Sequence, residues 1–162
     1  MIPTPEDLFC SGHVLLPDGR ALVGGGTLGY GPFLGSTAMY AFNFETEVYE
    51  AVDRLQVGRW YPSVITAPDG RQLFVGGFDE IGKKTNIPEI YDPVTNTTTI
   101  LPARRTFPNY PRIHQAADGT SFHATTATPG FWNPFAGTYK KAGGGTAVAP
   151  NAMASCFVRG RP

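Results

Sequence analysis

The sequence predicts an all-β fold assembled from repeats of about 50 residues. Three observations carry this. A tight-turn motif recurs as Pro17-Asp18-Gly19-Arg20, as Pro68-Asp69-Gly70-Arg71 and, more weakly, as Ala117-Asp118-Gly119-Thr120, with the Asp positions 51 and then 49 residues apart. A second landmark, an aromatic followed by Asp or Asn and a turn, recurs as Phe42-Asn43, Tyr91-Asp92 and Trp132-Asn133. The 20 glycines and 15 prolines of this 162-residue chain fall between short apolar runs rather than in one tract, the pattern of many short strands joined by tight turns.

Each repeat then reads in the same order. An apolar run precedes the Asp-Gly turn, which closes a hairpin because Gly accepts the positive φ the turn demands. The return strands are Ala21-Leu22-Val23 leading into Gly24-Gly25-Gly26, Gln72-Leu73-Phe74-Val75 leading into Gly76-Gly77, and Ser121-Phe122-His123-Ala124, which has lost its glycines. Paired glycines at a strand end let backbones approach closely. The third strand brings the aromatic-Asx landmark, with Glu89-Ile90-Tyr91 as the clearest case, and Thr97-Thr98-Thr99-Ile100-Leu101 follows as the fourth. A period near 50 with Gly-Gly and an aromatic-Asx turn is the reading for kelch-type β-propeller blades. The expected blades span about 10–60, 61–109 and 110–148, with a further blade beginning over 149–162. That is about three to three and a half blades of a propeller of about seven, and a closed ring needs at least four. The chain is therefore expected to be part of a longer protein, with the rest of the propeller as its partner, or else to assemble with other copies of itself.

Composition narrows the function. Thirteen basic side chains balance thirteen acidic ones, so no long-range field favours nucleic acid or an anionic membrane surface. No apolar stretch has the length of a membrane-spanning helix, and Met1 to Asp7 lacks the basic start and apolar core of a signal peptide. Cys10 and Cys156 are the two cysteines, which make neither a disulfide framework nor a zinc motif. The glycine triplets at 24–26 and 143–145 lack the following Lys-Ser/Thr of a phosphate loop.

The candidate site is a pair of residues one repeat apart. Cys10 lies in Leu8-Phe9-Cys10-Ser11-Gly12-His13, and Tyr61 in Gly58-Arg59-Trp60-Tyr61-Pro62-Ser63. Each stands at the same distance ahead of its Asp-Gly turn, so the two are expected to meet on neighbouring blades. These two motifs together resemble the kelch region of the galactose oxidase and glyoxal oxidase family of copper radical oxidases. The resemblance covers about Asp7 to Met153. It implies that Cys10 is joined by a thioether to Tyr61, and that Tyr61 is a copper ligand and carries a radical. It also implies oxidation of a primary alcohol, an aldehyde or a carbohydrate alcohol by dioxygen to give hydrogen peroxide. Copper in an N,O site with an open position suits such chemistry. Members of the family are commonly secreted, which sets the expected compartment.

Departures from the family pattern are plain. No Tyr-His dipeptide is present, and the histidines His13, His114 and His123 match no ligand motif. The remaining ligands are expected elsewhere in the protein, so the chain alone is expected to be inactive. Phe78, after Gly76-Gly77, stands where galactose oxidase stacks a tryptophan over the modified tyrosine, and is the expected stacking ring on Tyr61.

The alternative is a non-catalytic kelch propeller that binds a protein or carbohydrate through loops such as Gly29-Tyr30-Gly31-Pro32-Phe33. In that case Cys10 is an inert core thiol and Tyr61 a packing aromatic. Packing is likewise the expected role of His114 and His123, a strand hydrogen bond that of His13, and simple solvation that of Arg104-Arg105. Asp92 is expected to be an Asx-turn residue.

Overall fold

The computed structural model describes residues 2–116, 118–124 and 129–142. Cys156, the glycine triplet at 143–145 and the beginning of the expected fourth blade lie outside them. The described residues form fourteen strands and no helix. The first sheet contains β1 (Gly12–Leu15), β2 (Ala21–Gly24), β5 (Met39–Asn43) and β6 (Val48–Ala51), adjacent in that order. The second contains β7 (Ser63–Thr66), β8 (Gln72–Val75), β9 (Glu89–Asp92) and β10 (Thr97–Ile100), and the third β11 (Ile113–Gln115), β12 (Ser121–His123), β13 (Gly130–Trp132) and β14 (Tyr139–Lys141). All three are antiparallel meanders, and none closes on itself. A further hairpin, β3 (Thr27–Tyr30) with β4 (Phe33–Gly35), is inserted between β2 and β5. The Gly29–Phe33 segment expected as a plain loop is thus the tip of a two-stranded sheet.

The turns explain the repeat. In the first sheet the Gly19 N–H donates to the Leu16 carbonyl and the Arg20 N–H to Asp18 Oδ1, both at 3.0 Å. The same pairings return at Gly70 with Ala67 and at Gly119 with Ala116. The three glycines have φ of 87°, 86° and 84° with open space around a would-be Cβ, so backbone conformation alone demands Gly there. At the outer turns Asn43, Asp92 and Asn133 each accept a backbone N–H two residues on, from Glu45, Val94 and Phe135. Asp92 is therefore the Asx-turn residue expected.

Strand β8 shows how the sheets pack, because it is buried on both faces. Phe74 points to the first sheet and clusters with Leu22, Met39, Ala41 and Tyr91. Its neighbours Leu73 and Val75 point the other way and cluster with Phe107 and with Ile113 and Trp132 of the third repeat. The alternation of side chains along a strand thus supplies two cores from one short segment. Gly24 completes the first: a Cβ there would lie 2.6 Å from the Phe74 ring. The first strands of the three sheets come side by side, β1 with β7 and β7 with β11, and this brings their starting residues together.

Candidate functional site

Three residues at those strand starts hold an unusual backbone. Cys10, Tyr61 and Tyr110 each stand eight positions ahead of the Asp of their turn, and their φ angles are 63°, 65° and 46°. Positive φ is uncommon outside Gly and a genuine outlier for a bulky residue, and such strain concentrates where surrounding contacts hold it. Here the holding contacts run from sheet to sheet. The Tyr61 N–H donates to the Cys10 carbonyl at 2.8 Å, and the Tyr110 N–H to the Tyr61 carbonyl at 3.1 Å.

This ladder holds the Cys10 and Tyr61 backbones side by side, and the two side chains perturb each other's titration. Burial, to 6% exposure, raises the Cys10 thiol pKa, hydrogen bonding with the Tyr61 phenol lowers it in part, and the Asp7 charge raises it again. The same thiol contact is the main cause of a raised Tyr61 pKa. Both groups therefore keep their protons at neutral pH, and a cation is what would favour their anionic forms. Asp7 itself is tied down: Oδ1 accepts the Phe9 N–H at 3.0 Å and Oδ2 the Tyr30 hydroxyl at 2.5 Å.

Tyr61 lies inside a run of four rings. Phe33, from β4, stacks on Trp60 at 4.1 Å between centroids; Trp60 meets Tyr61 at 4.0 Å; Tyr61 meets Tyr110 at 4.3 Å. Phe78, the expected stacking ring, is placed otherwise. Its backbone pairs with that of Trp60 in both directions at 2.8 Å, and its ring faces Trp60 at 5.9 Å. The rings flanking Tyr61 are thus Trp60 and Tyr110. The positive φ at Tyr61 lets consecutive rings face each other, where an extended strand would send them to opposite sides.

The loop before Tyr61 is anchored by Arg59, wholly buried with its partner Glu89. Arg59 donates to Glu89 Oε1 at 2.7 Å, to the Gly76 carbonyl at 2.9 Å and to the Ile87 carbonyl at 2.6 Å. Its own carbonyl accepts the Gly26 N–H, and its N–H donates to the Ser36 carbonyl. Burial lowers the Arg59 pKa and the Glu89 charge opposes this.

His13 and His114 line an open cleft between the first strands, with Ser63 and Arg112. His123 is wholly buried, edge-on to Phe107 at 4.8 Å, and burial pushes its pKa down to about 4. Arg104 and Arg105 are more than solvated: Arg104 donates to the Leu101 carbonyl, and the Arg105 guanidinium sits 3.6 Å from the Tyr139 ring centroid. Among the described residues no three His, Cys, Asp or Glu side chains group as a metal site. These residues do not by themselves fit a copper ion, although Tyr61 is a suitable single oxygen donor.

No protein-family model matches the chain. One relative is a WSC domain-containing protein of Arthroderma benhamiae, 41% identical over 83 residues, an overlap covering 44% of this chain and 8% of that protein. Among solved structures, the chain resembles a novel fungal alcohol oxidase of the AA5 family, determined in complex with copper, with a TM-score of 0.64 and 22% identity. That match covers 79% of this chain and 28% of the other, so the chain spans little more than a quarter of that structure. At this identity the likeness is one of all-β fold.

Proposed function

We propose that this chain is part of a copper radical oxidase of the galactose oxidase and glyoxal oxidase type, its three sheets being blades of a kelch-type propeller of about seven. Cys10 and Tyr61 are then the precursors of a thioether-linked cofactor, and Tyr61 is also a copper ligand. The whole protein oxidises a primary alcohol or aldehyde with dioxygen to give hydrogen peroxide. The observation that carries this reading is the backbone hydrogen bond between Tyr61 and Cys10, which joins them on adjacent sheets at matched positive-φ positions. The fold likeness to a copper-bound alcohol oxidase supports it independently. On this reading Tyr61 is one copper ligand and the others lie elsewhere in the protein, so the isolated chain is expected to be inactive.

The cross-link is a two-electron oxidation. The Cys10 S–H and one Tyr61 ring C–H beside the phenol are lost, a sulfur–carbon bond forms, and two protons and two electrons reduce dioxygen to hydrogen peroxide. The surrounding residues hold the reactants for this step. The ladder fixes the two backbones, the Trp60 and Tyr110 rings restrict the phenol, and burial keeps the thiol from bulk solvent. The test is peptide mapping of the full-length protein after exposure to copper and air. The Cys10 and Tyr61 peptides are expected as one species, lighter by two hydrogens than their sum. A free Cys10 thiol in a preparation that turns alcohol over to peroxide defeats the reading.

A further inference from the structure

We infer that Tyr110 is a positioning residue for the Cys10–Tyr61 pair, acting through its ring on Tyr61 and through its hydroxyl on the Cys10 loop. The significance of this rests on the reading of Cys10 and Tyr61 as a reacting pair, but the geometry stands without it. Tyr110 is the third member of the positive-φ series, and its N–H continues the ladder from the Tyr61 carbonyl. Its ring lies against Tyr61 at 4.3 Å and 41°. Its hydroxyl crosses to the first sheet and donates to the Ser11 carbonyl, next to Cys10, at 3.2 Å. One side chain from the third repeat therefore touches Tyr61 and the residue next to Cys10.

Three features separate this from ordinary packing. Tyr110 is 44% exposed, so it is not held by a core that would account for its strained backbone. The Asn109-Tyr110-Pro111 sequence repeats the Tyr61-Pro62 element at the matched position, so the third repeat offers a phenol where the first offers a thiol. Burial raises the Tyr110 pKa, in keeping with a phenol that stays protonated and keeps donating to Ser11. Without Tyr110, one face of the Tyr61 ring loses its neighbour and the Cys10 loop loses its tie to the third repeat.

The experiment compares Tyr110→Ala and Tyr110→Phe with the unaltered full-length protein, after thermal melting shows that each folds. The first readout is the alkylation rate of Cys10 by iodoacetamide in metal-free protein, followed by peptide mapping. Because small misplacements in a site change rates by large factors, alkylation should quicken about tenfold in Tyr110→Ala and by a smaller factor, about threefold, in Tyr110→Phe, which keeps the ring but loses the tie to Ser11. The second readout is the yield of Cys10–Tyr61 linked peptide at fixed time with copper and air, expected to fall about tenfold in Tyr110→Ala by the same argument. Equal alkylation in Tyr110→Ala and the unaltered protein overturns the inference, and so does a Phe variant as loose as the Ala variant. A protein that never forms the linked peptide defeats the oxidase reading instead, and the alkylation result still decides the role of Tyr110.

Discussion

The junction between the first and second sheets and that between the second and third share one backbone plan and differ in their side chains. Both are spanned by a hydrogen bond from a positive-φ residue to its predecessor's carbonyl, Tyr61 to Cys10 in the one and Tyr110 to Tyr61 in the other. Both are filled by an apolar cluster that draws on opposite faces of β8. At the first junction the repeated position sets a thiol against a phenol; at the second it sets phenol against phenol. The scaffold is therefore generic, and the chemistry comes from single-residue departures at a position the scaffold already holds rigid.

Substitutions that remove the scaffold's buried charge should act most strongly, because both junctions depend on it. Glu89→Ala leaves the Arg59 guanidinium buried and unpaired, and should destabilise by about 3–5 kcal/mol in urea denaturation. A double variant, Arg59→Met with Glu89→Leu, should recover only part of this loss. It removes the ion pair but leaves the Gly76 and Ile87 carbonyls without their donor, at about 1–3 kcal/mol for each buried group. Full recovery would show that Arg59 serves the pair alone and not the loop that carries Tyr61.

The two faces of β8 allow the junctions to be separated. Phe74→Ala should destabilise by about 3–5 kcal/mol and Leu73→Ala by about 2–5 kcal/mol, both as cavity-forming changes. Only Phe74 packs at the first junction, so Phe74→Ala should also quicken Cys10 alkylation, whereas Leu73→Ala should leave it near the unaltered rate. Equal acceleration in both would mean that the sheets loosen together and that the junctions are not independent.

Much of this plan was legible in the residues. The Asp-Gly turns and the aromatic-Asx turns carry their own local physics, so the three sheets and their order followed from spacing. The approach of Cys10 to Tyr61 followed from the same spacing. Tyr110 had an equally clear signal, the 49-residue offset and the repeated Tyr-Pro, yet it bears no histidine or cysteine to draw attention to it. Phe78 was misplaced because the backbone after Gly77 pairs with Trp60 and carries the ring with it. The stacking of Trp60 on its own neighbour was hidden because sequence pattern assumes alternating strand directions, which a positive φ breaks. The Arg59–Glu89 pair was hidden because partners 30 residues apart leave no local pattern.

Smaller effects test how far the turns are interchangeable. Gly70→Ala meets open space but keeps a φ of 86°, and should destabilise by about 1–2 kcal/mol from left-handed backbone strain alone. Gly19→Ala should match it closely, since the two turns have nearly the same φ and the same backbone-to-backbone hydrogen bonds. A much larger loss at either one would reveal a contact that the repeat does not share.

The smallest expected effect distinguishes the third turn from the other two. Arg71 bonds the Asp69 carboxylate at 2.8 Å and Arg20 bonds Asp18 at 2.9 Å, whereas Asp118 accepts from the Thr120 hydroxyl and N–H. All three carboxyls have lowered pKa values, held down first by those side-chain hydrogen bonds. A carboxyl with a lowered folded pKa contributes stability that is fully present above its unfolded value, near 3.9, and is lost as pH falls through the folded value. The Asp69–Arg71 pair is half exposed, so its share should be less than about 1 kcal/mol and should shrink with added salt. Asp69→Asn should therefore flatten the acid limb of the stability profile at low salt and change little at high salt. Asp118→Asn should flatten it with far less salt dependence, because its partner is a neutral hydroxyl and not a guanidinium. The same salt response in both would mean that the arginines at the first two turns act on something other than the turn carboxylate.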